Sequence, residues 1–247
     1  MSPYAALTTS LARTNLRDPA TLFFTFVFPP ALLVLLARTL GSRPGTGGHA
    51  IVDLIGPNVM GFGIAFIGLF AGAMNIAEWR EKGVVRVLRC APMSAYQILA
   101  CALTVATVSA WIQTILIAVV SVTPMVGMTL SVWAALSVIP VFFGTLLFYS
   151  FGVLLGQIVP TISAVSLIIS LIVMPMGVVS GAVMPLEALP NWVQTVSEFL
   201  PLTYLLDAIR WPLTGVVPLS DCLHGCAVTA AVGILLFWLS ARFMRWK

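Results

Sequence analysis

The chain has 247 residues, 60% of them hydrophobic and 8% charged, with a formal net charge of +4. About a quarter of the residues in a soluble domain are charged, so this composition excludes one. A β-barrel would show segments of about 10 residues with alternating polarity, whereas the apolar runs here are continuous. Helices are the remaining structure that satisfies the backbone in lipid, and an all-α membrane protein is predicted.

Residues 1–18 place Tyr4, Leu7 and Leu11 at helical spacing ahead of Arg13 and Arg17, the pattern of a short helix lying in a membrane interface. No short apolar region with a small-residue cleavage site follows, so a cleavable signal peptide is not expected. Six apolar stretches lie at about 20–40, 54–77, 97–122, 130–156, 161–183 and 222–242. Each supplies the ~20 residues that cross a hydrocarbon core. A cytoplasmic amino terminus puts Arg13, Arg17, Arg80, Lys82, Arg86, Arg89, Arg242, Arg245 and Lys247 inside, and Arg38, Arg43 and Arg210 outside. That asymmetry favours cytoplasmic termini at both ends of a single transmembrane domain covering 1–247.

On the second span Gly61, Ala65, Gly68 and Gly72 fall on one helical face, where small residues let another helix approach closely, within the chain or across a dimer interface. Phe62, Phe66 and Phe70 run beside them at intervals of four. After this span, residues 78–89 hold six of the chain's twenty formal charges: Glu78, Arg80, Glu81, Lys82, Arg86 and Arg89. Both signs of charge around an apolar centre of Val84, Val85, Val87 and Leu88 suit contact with a soluble partner at the membrane surface.

The fifth span carries Ser163, Ser166, Ser170, Gly177 and Gly181 on a shared face, with Pro175 expected to interrupt the helix and Met174 and Met176 flanking it. Hydroxyls on one stripe avoid lipid and should meet a neighbouring helix or a water-accessible cavity. Ser166, Ser170 and Met174, with Phe62 and Phe66 across from them, are the candidate lining of a transport path. The outer block 184–215 is broken by Pro185, Pro190 and Pro201. A short helix from Pro190 would bring Trp192, Val193, Val196, Phe199 and Leu200 to one face, and a second piece after Pro201 would let Asp207 and Arg210 pair.

The middles of the spans hold no Asp, Glu, Lys or Arg, which argues against a self-energised, ion-coupled carrier. Neither Lys82 nor Lys247 follows a phosphate-cradling GxxxxGK[ST] loop, and no GxSxG or HExxH arrangement occurs, so no catalytic, cofactor or metal residues are assigned. Cys222, His224 and Cys226 cannot share one ion, because helical residues two apart point away from each other.

Two blocks resemble the membrane subunit of a type-2 ATP-binding cassette (ABC) exporter. They are E-x-x-E-K-G-x-x-R-x-L from Glu78 to Leu88, followed by Cys90-Ala-Pro-Met-Ser94, and S-G-x-x-x-P-x-x-x-L-P-x-W … P-L-T-Y-x-x-D-A-I-R from Ser180 to Arg210. The chain departs from the family's frequent Thr at Val84. The resemblance implies a permease that pairs with a second, identical or related permease and with two separate ATPase subunits, which bind the ATP and magnesium. It also implies that 78–94 is the coupling loop, with Glu78, Arg80, Glu81, Lys82, Gly83, Val84, Arg86, Leu88 and Arg89 as docking candidates. The expected function is export of an apolar or amphipathic compound, such as a drug, antibiotic or lipid, across a bacterial cytoplasmic membrane, with no role in nucleic-acid binding. Open alternatives are a polysaccharide or glycolipid exporter and, from another class, a non-transporting assembly subunit or an intramembrane enzyme.

Overall fold

The computed structural model describes residues 3–41, 50–85, 93–183 and 189–244. Among these residues the chain is helical, without β-strands, and six helices are long and apolar enough to cross a membrane.

Helix α1 (Pro3–Arg17) buries Leu11 and lies against the start of α5 (Ala95–Val122). There the Tyr4 hydroxyl sits 2.6 Å from Thr104 Oγ1 and donates to the Ala100 carbonyl at 3.2 Å. Asp18 separates α1 from α2 (Pro19–Leu22), and its carboxylate accepts from the Thr21 amide and hydroxyl. The first span opens with a π turn (Phe23–Val27) and continues as α3 (Phe28–Leu40). Pro29 and Pro30 explain the widening: proline supplies no N–H to the carbonyl four residues back and its ring crowds that carbonyl. The Phe28 amide bonds instead to Phe23, five residues back.

The bundle is built around α4 (Val52–Glu81), the longest helix, most of which is buried. Its main partner is α6 (Val138–Ile158), entered through a 3₁₀ turn (Ala134–Ser137). Glycines on both helices bring the two backbones into contact. A Cβ on Gly72 would lie 2.2 Å from the Tyr149 carbonyl oxygen, and one on Gly152 would lie 2.3 Å from that of Leu69. Gly68 meets the Phe148 side chain and the Tyr149 backbone, whereas Gly61 faces the Leu206 side chain and Ala65 is fully buried. The small-residue stripe therefore packs within this chain. Fully buried Tyr149 donates to the Leu99 carbonyl at 3.0 Å, tying α6 to α5.

Helix α7 (Ile162–Val179) passes straight through Pro175, contrary to the predicted break. The proline is exposed and the helix forgoes a single backbone bond there, as α4 does at buried Pro57. The helix ends before Gly181, which has φ = +80° and so leaves the stripe predicted for it. The outer block forms α8 (Asn191–Ser197), which starts just after Pro190, and α9 (Pro201–Thr214), which starts at Pro201, while residues 184–188 lie outside the described set. Of the predicted α8 face, Val193 is buried, whereas Trp192 and Phe199 are exposed. Helix α9 buries Leu202, Leu205, Leu206 and Ile209 against α4 and α10 (Leu219–Arg242).

Hydrogen bonds define the two ends of the bundle. At the α1 end, Gln157 Nε2 donates to the Ser240 carbonyl at 3.0 Å, and Ser94 and Gln97 form a capping box that starts α5. At the opposite end, the Asp53 carboxylate accepts from the Thr129 amide at 2.9 Å, and the Ser131 amide donates to Leu213 at 2.8 Å.

Candidate functional site

A cavity of about 900 Å³ opens at the α1 end between α1, the first span, α4, α5 and α7. One wall is aromatic: Phe66 stacks on Phe70 with centroids 5.4 Å apart, and Phe24 of the π turn approaches Phe66 at 5.9 Å. Opposite, α7 contributes Ser166, Ser170 and Met174. The Ser166 hydroxyl donates to Ile162 at 3.1 Å and that of Ser170 to Ser166 at 2.9 Å. The Ser166 hydroxyl also lies 3.5 Å from the Met74 sulfur, and both hydroxyl oxygens keep lone pairs for a ligand or water. Toward the α1 end the lining becomes polar and charged, with Asn15, Arg17, Asp18, Asn75, Glu78 and Lys82.

Four of the five residues expected to line a path, Phe66, Ser166, Ser170 and Met174, share this cavity; Phe62 does not. Phe62 is buried, with its ring pressed against Gly177, where an added Cβ would fall 2.5 Å from a ring carbon. The reason is helical drift. Each four-residue step overshoots a full turn by about 40°, so Phe62 is rotated about 80° from Phe70. Sequence reasoning also missed Phe24 and Arg17. The aromatic cluster ahead of Pro29-Pro30 marked Phe24 as unusual, but nothing local marked Arg17.

The charged segment after the second span divides by role. Lys82 Nζ lies 2.7 Å from Glu78 Oε2, and both line the cavity mouth. The hydrogen bond and charge of Glu78 raise the Lys82 ammonium above its ordinary pKa, keeping it protonated. Arg80 and Glu81 instead reach the α6–α7 turn. Arg80 Nη1 donates to the carbonyls of Gly156, Gln157 and Val159 at 3.1, 3.1 and 3.2 Å, and Glu81 Oε2 accepts from the Ile162 amide at 3.4 Å. Gly83 turns the chain with φ = +69°, Val84 is half-buried and Val85 is buried. Arg86, Leu88 and Arg89 lie outside the described residues.

At the opposite end Arg210 is the centre of a second polar cluster. Its Nη1 meets Asp207 Oδ1 at 2.7 Å, its Nε donates to Asn58 Oδ1 at 3.0 Å, and Asn58 Nδ2 donates to the Gly181 carbonyl at 2.8 Å. Burial pushes the Asp207 carboxyl above its ordinary range, an effect that Arg210 opposes; burial likewise lowers the Arg210 guanidinium. Among the described residues no group of three His, Cys, Asp or Glu side chains could hold a metal.

The sequence signature described as ABC-2 family transporter protein matches residues 45–242, from just before α4 to the end of α10. This chain belongs to the ABC-2 transporter family. Among curated proteins it is 31% identical over 99 residues to nodulation protein J of Rhizobium leguminosarum bv. viciae, covering 40% of this chain and 36% of that protein. Nodulation protein J of the bv. trifolii strain is 31% identical over 100 residues, 40% of this chain and 38% of that one. A protein of Cyanophora paradoxa named "Putative transport permease ycf38" is 28% identical over 202 residues, 79% of this chain and 68% of its own. The matched region thus spans little more than a third of the nodulation proteins' length. With six helices long and apolar enough to cross a membrane, this member of the ABC-2 transporter family is a multi-pass membrane protein. The family match begins after the first span, so α1 and the π turn that complete the cavity lie outside it.

Proposed function

We propose that this ABC-2 permease exports an apolar or amphipathic compound, with ATP and magnesium handled by two separate ATPase subunits. The observation that carries this reading is the cavity, whose aromatic and thioether walls suit an apolar body and whose charged end suits a polar head. The excess of Lys and Arg at the α1 end supports a cytoplasmic location for that charged end and for both termini, in a bacterial cytoplasmic membrane. The ATPase would bind the turn around Lys82, Gly83 and Val84 and the following Arg86, Leu88 and Arg89. With the glycine stripe spent on α6 and α9, a second permease copy would pair through other faces. The exposed side of α7, with Leu167, Leu171 and Met174, and the first span are the surfaces available to close the cavity.

The test is thiol labelling of single cysteines at Ser166 and Ser170 after replacement of the four native cysteines. Both positions should react with a small aqueous maleimide, and an amphiphilic drug or a lipid should protect them. Leu167, which is exposed on the outside of the bundle, and fully buried Ile169 should stay unreactive in membranes. Protection by a soluble glycan but not by an amphiphile would turn the reading toward polysaccharide export. Equal silence at Ser166 and Ser170 would remove the cavity from the route.

A further inference from the structure

Arg80 and Glu81 are consecutive residues at the end of α4, and each satisfies a different helix terminus of one turn. The carbonyls that receive Arg80 are those of Gly156 and Gln157 in the last turn of α6 and of Val159 capping it, where helical carbonyls lack partners within their own helix and the dipole is negative. The amide that donates to Glu81 belongs to Ile162, the first residue of α7, at the positive end. Cation to C-terminus and anion to N-terminus is the favourable sense in both cases. Thr161 also caps α7, accepting from the Ala164 amide at 3.3 Å, so the turn is held from both sides. Within one helical turn of these contacts stand groups that line the cavity, Glu78 on α4, Lys82 just after it and Ser166 on α7.

We infer that Arg80 and Glu81 form a bracket that locks the end of α4 to the α6–α7 turn, making them positioning residues for transport. A displacement of the chain beyond Glu81 is then delivered to α7, and Ser166, Ser170 and Met174 move against Phe66 and Phe70. A solvated charged patch would need neither residue to reach the turn. A simple helix cap would stabilise α6 and α7 without linking them to the nucleotide state of another subunit. The inference rests on the proposed cavity and on ATPase contact just after Glu81, and its test separates it from both.

In a complex co-purified with its ATPase and lacking native cysteines, the maleimide labelling rate of Ser166→Cys is measured with and without a non-hydrolysable ATP analogue. With Arg80 and Glu81 intact, the rate should change by about fivefold or more, as expected for a coupling free energy between two sites. In Arg80→Gln and Glu81→Ala complexes that still assemble, that change should be lost. Arg80→Lys, whose ammonium can reach part of the carbonyl set, and Glu81→Gln, which keeps an acceptor for Ile162, should restore part of it. Full nucleotide dependence in both Arg80→Gln and Glu81→Ala would overturn the bracket while leaving the cavity intact. No nucleotide dependence with the bracket intact would overturn the cavity reading and the inference resting on it.

Discussion

Asn58 and Arg210, 152 positions apart, are joined by one hydrogen bond of 3.0 Å from the guanidinium Nε to the side-chain amide oxygen. The same amide donates to Gly181, so a single side chain on α4 ties α9 to the end of α7. Arg210 is largely buried, its side chain 12% exposed, and a buried cation is costly unless its donors are matched.

Asn58→Ala should therefore destabilise the protein by about 1.5–3 kcal/mol, the range for losing a hydrogen bond to a charged group. Asn58→Asp should fall between the two, because a carboxylate still accepts from Arg210 but cannot donate to the Gly181 carbonyl. Thermal unfolding in detergent ranks the three proteins. A ranking with the Asp variant below the Ala variant would show that a buried carboxylate facing the Gly181 carbonyl costs more than its bond to Arg210 returns.

The glycine stripe predicts a graded response to the smallest possible addition. Gly72→Ala drives a methyl into the Tyr149 carbonyl, which belongs to a packed helix backbone and cannot step aside. Gly61→Ala meets only the end of the flexible Leu206 side chain. Overpacking of about 1–3 kcal/mol is expected at Gly72 and markedly less at Gly61. The damage should appear as misfolded single chains, not as dissociated but folded subunits. Size-exclusion profiles of the two variants distinguish these outcomes, and equal profiles would mean that α4 and α6 can separate cheaply.

Gln113 offers the opposite case. It is 1% exposed, neither polar atom of its amide has a hydrogen-bond partner in the protein, and it fills the space left by Gly63, where a Cβ would fall 2.0 Å from its nitrogen. Replacing such a group by an apolar one of similar size is expected to be neutral or stabilising. Gln113→Leu should thus raise the unfolding temperature or leave it unchanged, while Gly63→Ala should lower it. A clear loss of stability in Gln113→Leu would indicate that the amide is hydrogen-bonded within the membrane.

What the sequence revealed followed from local rules. Six runs of sufficient length announced six spans, Pro190 and Pro201 announced two short helices, and the three-residue spacing of Asp207 and Arg210 announced their ion pair. What stayed hidden depended on neighbours. Periodicity assigned Gly68 and Gly72 to a face but could not say that α6 would fill it. Arg80 looked like one charge in a surface patch because its partners are main-chain carbonyls 76 to 79 residues away, and every residue possesses a carbonyl. Pro175 misled because a packed helix can forgo one backbone bond and continue, as α4 and α9 also do at buried Pro57 and Pro212.

The π turn in the first span fixes the phase of the cavity wall. One residue more than an α-helical turn contains is wound into Phe23–Val27, so everything on its amino-terminal side is rotated by about 100° from the wheel that Phe28–Leu40 would extend. The orientation of Phe24 toward Phe66, and the azimuth at which α2 leaves the span toward α1, are set by that extra residue. Deleting one residue inside the bulge would leave the span long enough to cross a bilayer and would still retune the lining. The span acts like a screw thread whose pitch changes once, and the aromatic wall is indexed to that change.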